Sequence, residues 1–204
     1  MNKIGILAYG SLIDNPGEEI EPLIIERIKC ITPFKVEYAR TSSSRSGAPT
    51  LIPTNKIGKQ VNATILVLEN STELNYAKSI LWKRERHKVG ENADYIEIKS
   101  PKVNQVVVKT INSFENVETV IYTSLGQNIS GEINPEKLAD LAIKSILDKA
   151  GATKKDGIRY LLSAKENNIE TEFSNEYEKQ ILIKTETNTL EEAIKKMDLK
   201  RNEN

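Results

Sequence analysis

Glu85 stands in the run Leu81-Trp82-Lys83-Arg84-Glu85-Arg86-His87-Lys88, where an apolar helical pattern ends, and a carboxylate in that setting can carry a proton between two nitrogens. A second feature lies near the N-terminus. Ile4-Gly5-Ile6-Leu7-Ala8-Tyr9 reads as a buried strand stopped by Gly10-Ser11, and a glycine without Cβ lets several backbone N–H groups converge on one point. Such a nest suits a carboxylate or a developing oxyanion. Arg40 and Arg45 flank a serine-rich segment, and guanidinium fits a carboxylate bidentately. Each feature alone also has a plain structural explanation. Strand-Gly-Ser turns are common, and Arg86, His87 and Lys88 suit a solvated helix C-terminus, where cations oppose the helix dipole.

The rest of the composition narrows the chemistry. With 29 basic and 29 acidic side chains in 204 residues, no net charge concentrates nucleic acid or anionic membrane, so neither is an expected partner. One histidine and one cysteine leave no His/Cys cluster for zinc or iron, and no cofactor or metal is expected. His87 reads as an exposed helix-end residue. Cys30, with Ile28 and Ile31 beside it, reads as a small buried hydrophobe rather than a nucleophile. The N-terminal apolar run is too short for a signal peptide, and a cytoplasmic location is expected by default.

These residues need elements to position them. The first strand at 4–9 is followed by β-branched and aromatic residues over 23–38, read as two strands or one strand bent at Pro33, and by strands around 50–53 and 61–68. Asn70 and Glu73 form a candidate capping pair for a helix over 71–86. Val106-Val107-Val108 and Val120-Ile121-Tyr122 return to strand character, joined through the polar stretch 112–116, so a mostly antiparallel sheet is expected. Pro135 after Asn134 opens a helix whose apolar face holds Leu138, Leu141, Ala142 and Ile146, with Gly151 at its end. Helices are expected over 154–168 and 189–200. The stretch 175–185 suits either helix or strand, and the charged tail after 199 reads as disordered.

Tyr9-Gly10-Ser11-Leu12 at the end of an N-terminal strand resembles the opening signature of γ-glutamylcyclotransferase-like (AIG2-like) proteins. Three features match in order: the arginine- and serine-rich loop 40–53 leading into an apolar strand, Glu85 after an apolar helix and an arginine, and the late strand at Val120-Ile121-Tyr122 followed by Asn128. The likeness covers roughly residues 3–130 and lies in the ordered set, not in any one motif. Leu12 stands where several members carry asparagine, and Arg86-His87-Lys88 replaces small glycines common in the family.

The resemblance implies an α+β fold: a small bent, mixed or antiparallel β-barrel over residues 1–130 with helices around it. A mainly helical extension over 131–204 would cap the barrel or form a homodimer surface. It also implies conversion of a γ-glutamyl compound (glutathione, a γ-glutamyl dipeptide or a γ-glutamylamine) to 5-oxoproline and a free amine. The substrate's own α-amine attacks its γ-carbonyl, so orientation supplies much of the rate. Glu85 would be the acid-base residue; the backbone around Gly10, Ser11 and Leu12 would hold the substrate carboxylate or oxyanion, Tyr9 and Ser11 would position it, and Arg40 or Arg45 would pair with the carboxylate. Tyr122 would line the pocket or pack as a strand tyrosine. Carboxylates titrate near ~4.3 and α-amines near ~8, so such a glutamate needs partial desolvation. Arg84 and Arg86, one position either side in a helix, are expected to project away from it. Another acyl-transfer or amide-cleaving enzyme on this scaffold, or a non-catalytic binding or adaptor protein, are the alternatives.

Overall fold

The computed structural model, which describes residues 3–203, places the first apolar run in strand β1 (Ile4–Ala8), buried at every position. A strand covered on both faces needs an unbroken apolar sequence, which is why this run does not alternate. Its neighbours are β5 (Asn62–Leu68), antiparallel, and β7 (Val117–Ser124), parallel. Strands β2 (Ile24–Ile31) and β6 (Val107–Phe114) complete a five-stranded mixed sheet in the order β2-β5-β1-β7-β6. Among the described residues no ladder closes this sheet into a barrel. At Gly5 a Cβ would sit 2.4 Å from Ile65 Cγ2, so the close approach of β1 and β5 depends on glycine there.

The β6–β7 connection is tighter than the polar stretch 112–116 implies. Glu115 and Asn116 both take left-handed backbone angles, φ 49° and 61°, as the twist of a two-residue hairpin requires. The outer edge of β6 is partly covered by Tyr95, whose hydroxyl accepts from the Val108 N–H at 3.2 Å and lies 3.4 Å from its carbonyl.

Helix α1 (Leu74–Glu85) begins later than its sequence pattern implies. Residues 70–72 turn sharply off β5, with the Thr72 N–H donating to Glu69 O, and Glu73 takes the N-cap position without a side-chain cap. The Asn70 cap is therefore not formed. Ala77, Ile80 and Leu81 of α1 pack with Ile4, Ile6, Leu12, Leu66 and Ile121 in one apolar cluster.

The chain separates into two compact units, one of residues up to Pro33 together with Asn62–Gly126, the other of Phe34–Val61 together with residues from Gln127 onward. These units interleave along the chain, whereas the boundary expected from sequence is a single cut after residue 130. The second unit holds the β3 (Lys35–Ser42) and β4 (Ala48–Thr54) antiparallel pair. Its helices are α2 (Pro135–Ile146), α3 (Lys149–Ala152), α4 (Gly157–Glu166), α5 (Ser174–Thr185) and α6 (Leu190–Asn202). Asn134 caps α2 through the Lys137 N–H at 2.9 Å. Gly151 does not end α2 but lies inside α3, where a Cβ would strike the Ile146 carbonyl at 1.8 Å.

The stretch 175–185 is helical because Tyr177 and Ile181 bury one face together. The tail after 199 is not disordered through its described length. Helix α6 continues to Asn202, held where Arg201 pairs with Asp198 at 2.5 Å and donates to the Ile146 carbonyl at 3.2 Å. No helix among the described residues is long and apolar enough to cross a membrane.

Glu37 on β3 is fully buried. Its carboxylate accepts from Thr171 Oγ1 at 2.6 Å, from the Tyr38 N–H at 2.8 Å and from the Phe173 N–H at 3.2 Å. Burial pushes its ionisation above the ordinary carboxylate range, and these three donors only partly oppose the shift. An acid raised in the folded state stabilises the fold fully below its unfolded value, and that contribution is lost as pH rises through the folded value. Lowering pH from ~7 toward ~5 is therefore expected to raise the denaturation midpoint of wild type relative to Glu37→Gln. A pH-independent difference between the two proteins would contradict this assignment.

Candidate functional site

The chain leaving β1 folds at once into a helix-like turn, with the Ile13 N–H donating to Gly10 O at 2.9 Å and the Asn15 N–H to Ser11 O at 3.0 Å. The leading N–H groups of such a turn have no acceptor within it. Those of Gly10, Ser11 and Leu12 donate to no group among the described residues. The side chain of Leu12 points the other way, into the apolar cluster under α1, and is 7% exposed. Leucine here fastens the turn to the core through its side chain.

Glu85 is the last residue of α1, in the same unit as the turn. Its Oε1 pairs with Arg84 Nη1 at 2.5 Å, and the carboxylate side chain keeps 21% of its surface exposed. Arg84 does not project away, as its neighbouring position in a helix implies. At the helix end its side chain turns back over the strand-turn segment, where Nη2 donates to Asn15 O at 2.6 Å and lies 3.4 Å from Ser11 Oγ. One planar guanidinium thus spans the turn and the carboxylate, which sets Glu85 Oε1 within roughly 8 Å of Ser11 Oγ. Arg86 does leave Glu85, its guanidinium stacking 4.0 Å over the Trp82 ring. Lys83 pairs with Glu19 at 2.5 Å, which fixes the helix end to the segment after the turn.

The remaining candidates lie in several places. The Tyr9 hydroxyl donates to the Thr123 carbonyl at 2.8 Å, so it ties the turn to β7. Tyr122 is half-buried on the same strand, and burial pushes its phenol upward. Arg40 and Arg45 belong to the second unit. Arg45 donates to the Lys155 carbonyl at 3.1 Å and stacks 4.6 Å over Tyr160; burial lowers the Arg40 guanidinium. His87 is exposed. Cys30 is half-buried, not buried, and burial followed by the Glu115 charge pushes its thiol up to about 11, which keeps it protonated and unreactive near neutral pH.

Asn15 and Gly17 were not legible as parts of this constellation. Asn15 acts through its carbonyl, which every residue has, and Gly17 through packing: at φ +93° it faces Arg84, where a Cβ would meet Cγ at 3.3 Å. The Asn15-Pro16-Gly17 turn was the available signal. An open cavity of about 570 Å³ runs along this segment between Asp14 and Arg27 and does not include Glu85 or Ser11. Among the described residues no group of three or more His, Cys, Asp or Glu side chains could hold a metal ion. No protein-family model, curated protein or solved structure matches the chain.

Proposed function

We propose that this protein is a γ-glutamylcyclotransferase-like enzyme that cyclises a γ-glutamyl compound to 5-oxoproline and releases the amine, with Glu85 as its acid-base residue. The observation that supports this most is the meeting, within one compact unit, of a carboxylate at a helix end and a turn whose leading N–H groups have no acceptor among the described residues. A cyclisation needs a proton carrier and oxyanion donors, and the nucleophile comes with the substrate. On this reading the five-stranded sheet corresponds to part of the family's small bent β-barrel.

The protons balance through one carboxylate. Glu85 takes a proton from the substrate's α-ammonium, and the freed amine attacks the γ-carbonyl, forming the ring C–N bond and an oxyanion held by the turn amides. Collapse breaks the bond to the leaving nitrogen, to which Glu85 returns its proton. The second proton on the ring nitrogen follows the same route, leaving 5-oxoproline and an ammonium product. Glutathione, γ-glutamyl dipeptides and γ-glutamylamines share the reacting atoms, and the leaving amine distinguishes them.

The Arg84–Glu85 pair also favours a second reading, in which the ion pair closes the helix end of a non-catalytic binding protein. Incubation of the purified chain with a panel of these three donor classes separates the two. Release of 5-oxoproline from any of them is the expected result; a chain that binds donors without turnover would support the second reading. Amine release without 5-oxoproline would indicate a different amide-cleaving chemistry.

A further inference from the structure

We infer that Arg84 is a positioning residue that holds the Gly10–Asn15 turn and the Glu85 carboxylate at a fixed separation and leaves Oε2 as the oxygen that moves protons. This rests on the cyclotransferase reading for its catalytic consequence, and on the geometry alone for the bracing itself. Three acceptors on two segments meet one guanidinium: Glu85 Oε1 at 2.5 Å, Asn15 O at 2.6 Å and Ser11 Oγ at 3.4 Å. The segments are 73 residues apart at the Arg84–Ser11 contact, so their spacing follows from tertiary structure and not from chain connectivity.

Arginine suits this task because its fork is planar and donates in several fixed directions, whereas lysine offers one compact charge on a flexible stem. Arg84 is itself held, its side chain only 16% exposed. Gly17, at φ +93°, lets the chain pass close beside Arg84 Cγ, where even a methyl group would crowd it at 3.3 Å. The guanidinium is therefore confined from the helix side by α1 and from the turn side by residues 15–17. Occupation of Oε1 by Arg84 leaves a single oxygen for substrate, which fixes the direction of proton transfer. A carboxylate free to rotate would present either oxygen at varying distance from the amides. A displacement near 1 Å at such a centre costs about a hundredfold in rate.

Arg84→Ala and Arg84→Lys test this with two readouts. In turnover, both variants are expected to lose kcat for 5-oxoproline formation by about 10–100-fold, Ala more than Lys. KM should stay within about threefold, since Arg84 does not touch substrate. Millimolar free guanidinium ion should restore part of the Ala variant's kcat. In hydrogen exchange, which needs no substrate, the Ile13 and Asn15 amides should exchange faster in Arg84→Ala while the Ile80 and Leu81 amides of α1 keep their wild-type rates. Unchanged exchange at Ile13 and Asn15 overturns the inference, as does a raised KM with kcat held, which would make Arg84 a substrate-binding group. Wild type that forms no 5-oxoproline from any donor refutes the cyclotransferase reading instead, and the exchange measurement then decides the bracing role by itself.

Discussion

Under the proposed cyclotransferase reading, Glu85→Gln is expected to reduce kcat for 5-oxoproline formation by roughly 10²–10⁴-fold, the contribution a positioned acid-base group makes to such a reaction. Glutamine preserves the side chain's size and an acceptor oxygen for Arg84, so the fold and the Arg84 contacts at Asn15 and Ser11 should persist. What it removes is the carboxylate's capacity to take up and return a proton. Because the α-ammonium must lose a proton before attack and the leaving nitrogen must gain one, a single substitution blocks both transfers. On the same proposal the turn amides hold the donor and are left intact, so KM should change far less than kcat. Thermal unfolding recorded beside turnover separates the two possible failures. An inactive variant with the wild-type midpoint assigns the chemistry to Glu85, whereas retained turnover removes Glu85 from the mechanism.

Asp156→Ala is expected to cost about 2–4 kcal/mol of stability in the second unit, combining loss of a helix cap with loss of a buried charge partner. Asp156 is fully buried at the N-cap of α4. Its Oδ1 accepts from the Ile158 and Arg159 N–H groups at 3.1 and 3.0 Å, and its Oδ2 pairs with Arg159 at 2.5 Å. Arg159 also pairs with Asp198, which in turn holds Arg201. The N-cap residue of α4 therefore anchors a charge chain reaching α6. Asp156→Asn retains an acceptor for the two amides and should lose roughly half as much. Denaturant midpoints of the three proteins measure this, and an Ala variant within error of wild type would refute the role.

Much of the fold was legible because local physics dictated it. β1 had to be buried on both faces because Ile4 to Ala8 offers no polar face to water. Asn134-Pro135 carried its own start signal: the amide oxygen caps the Lys137 N–H, and proline has no N–H to leave unsatisfied. Asn70 and Glu73 carried a similar signal, yet it failed because the sharp departure of the chain from β5 consumed residues 70–72. The 175–185 stretch was undecided because Ile181-Leu182-Ile183 suits either period. Burial of Tyr177 with Ile181, one turn apart, decided for helix. Gly151 looked like a helix stop because glycine usually serves that way, whereas its reason here is the nearby Ile146 carbonyl.

The same division runs through the candidate site. The sequence determined that a Gly-Ser turn follows a buried strand and that a glutamate ends an apolar helix, because strand burial, glycine's missing Cβ and helical periodicity are local properties. Tertiary structure alone decided that Arg84 faces Glu85 and the turn, that Leu12 belongs to the core, and that Arg40 and Arg45 fall in the other compact unit. Side-chain direction at a helix end depends on which distant acceptors come within reach. No spacing rule along the chain contains the position of Asn15 O, and that carbonyl is what draws Arg84 back over the turn.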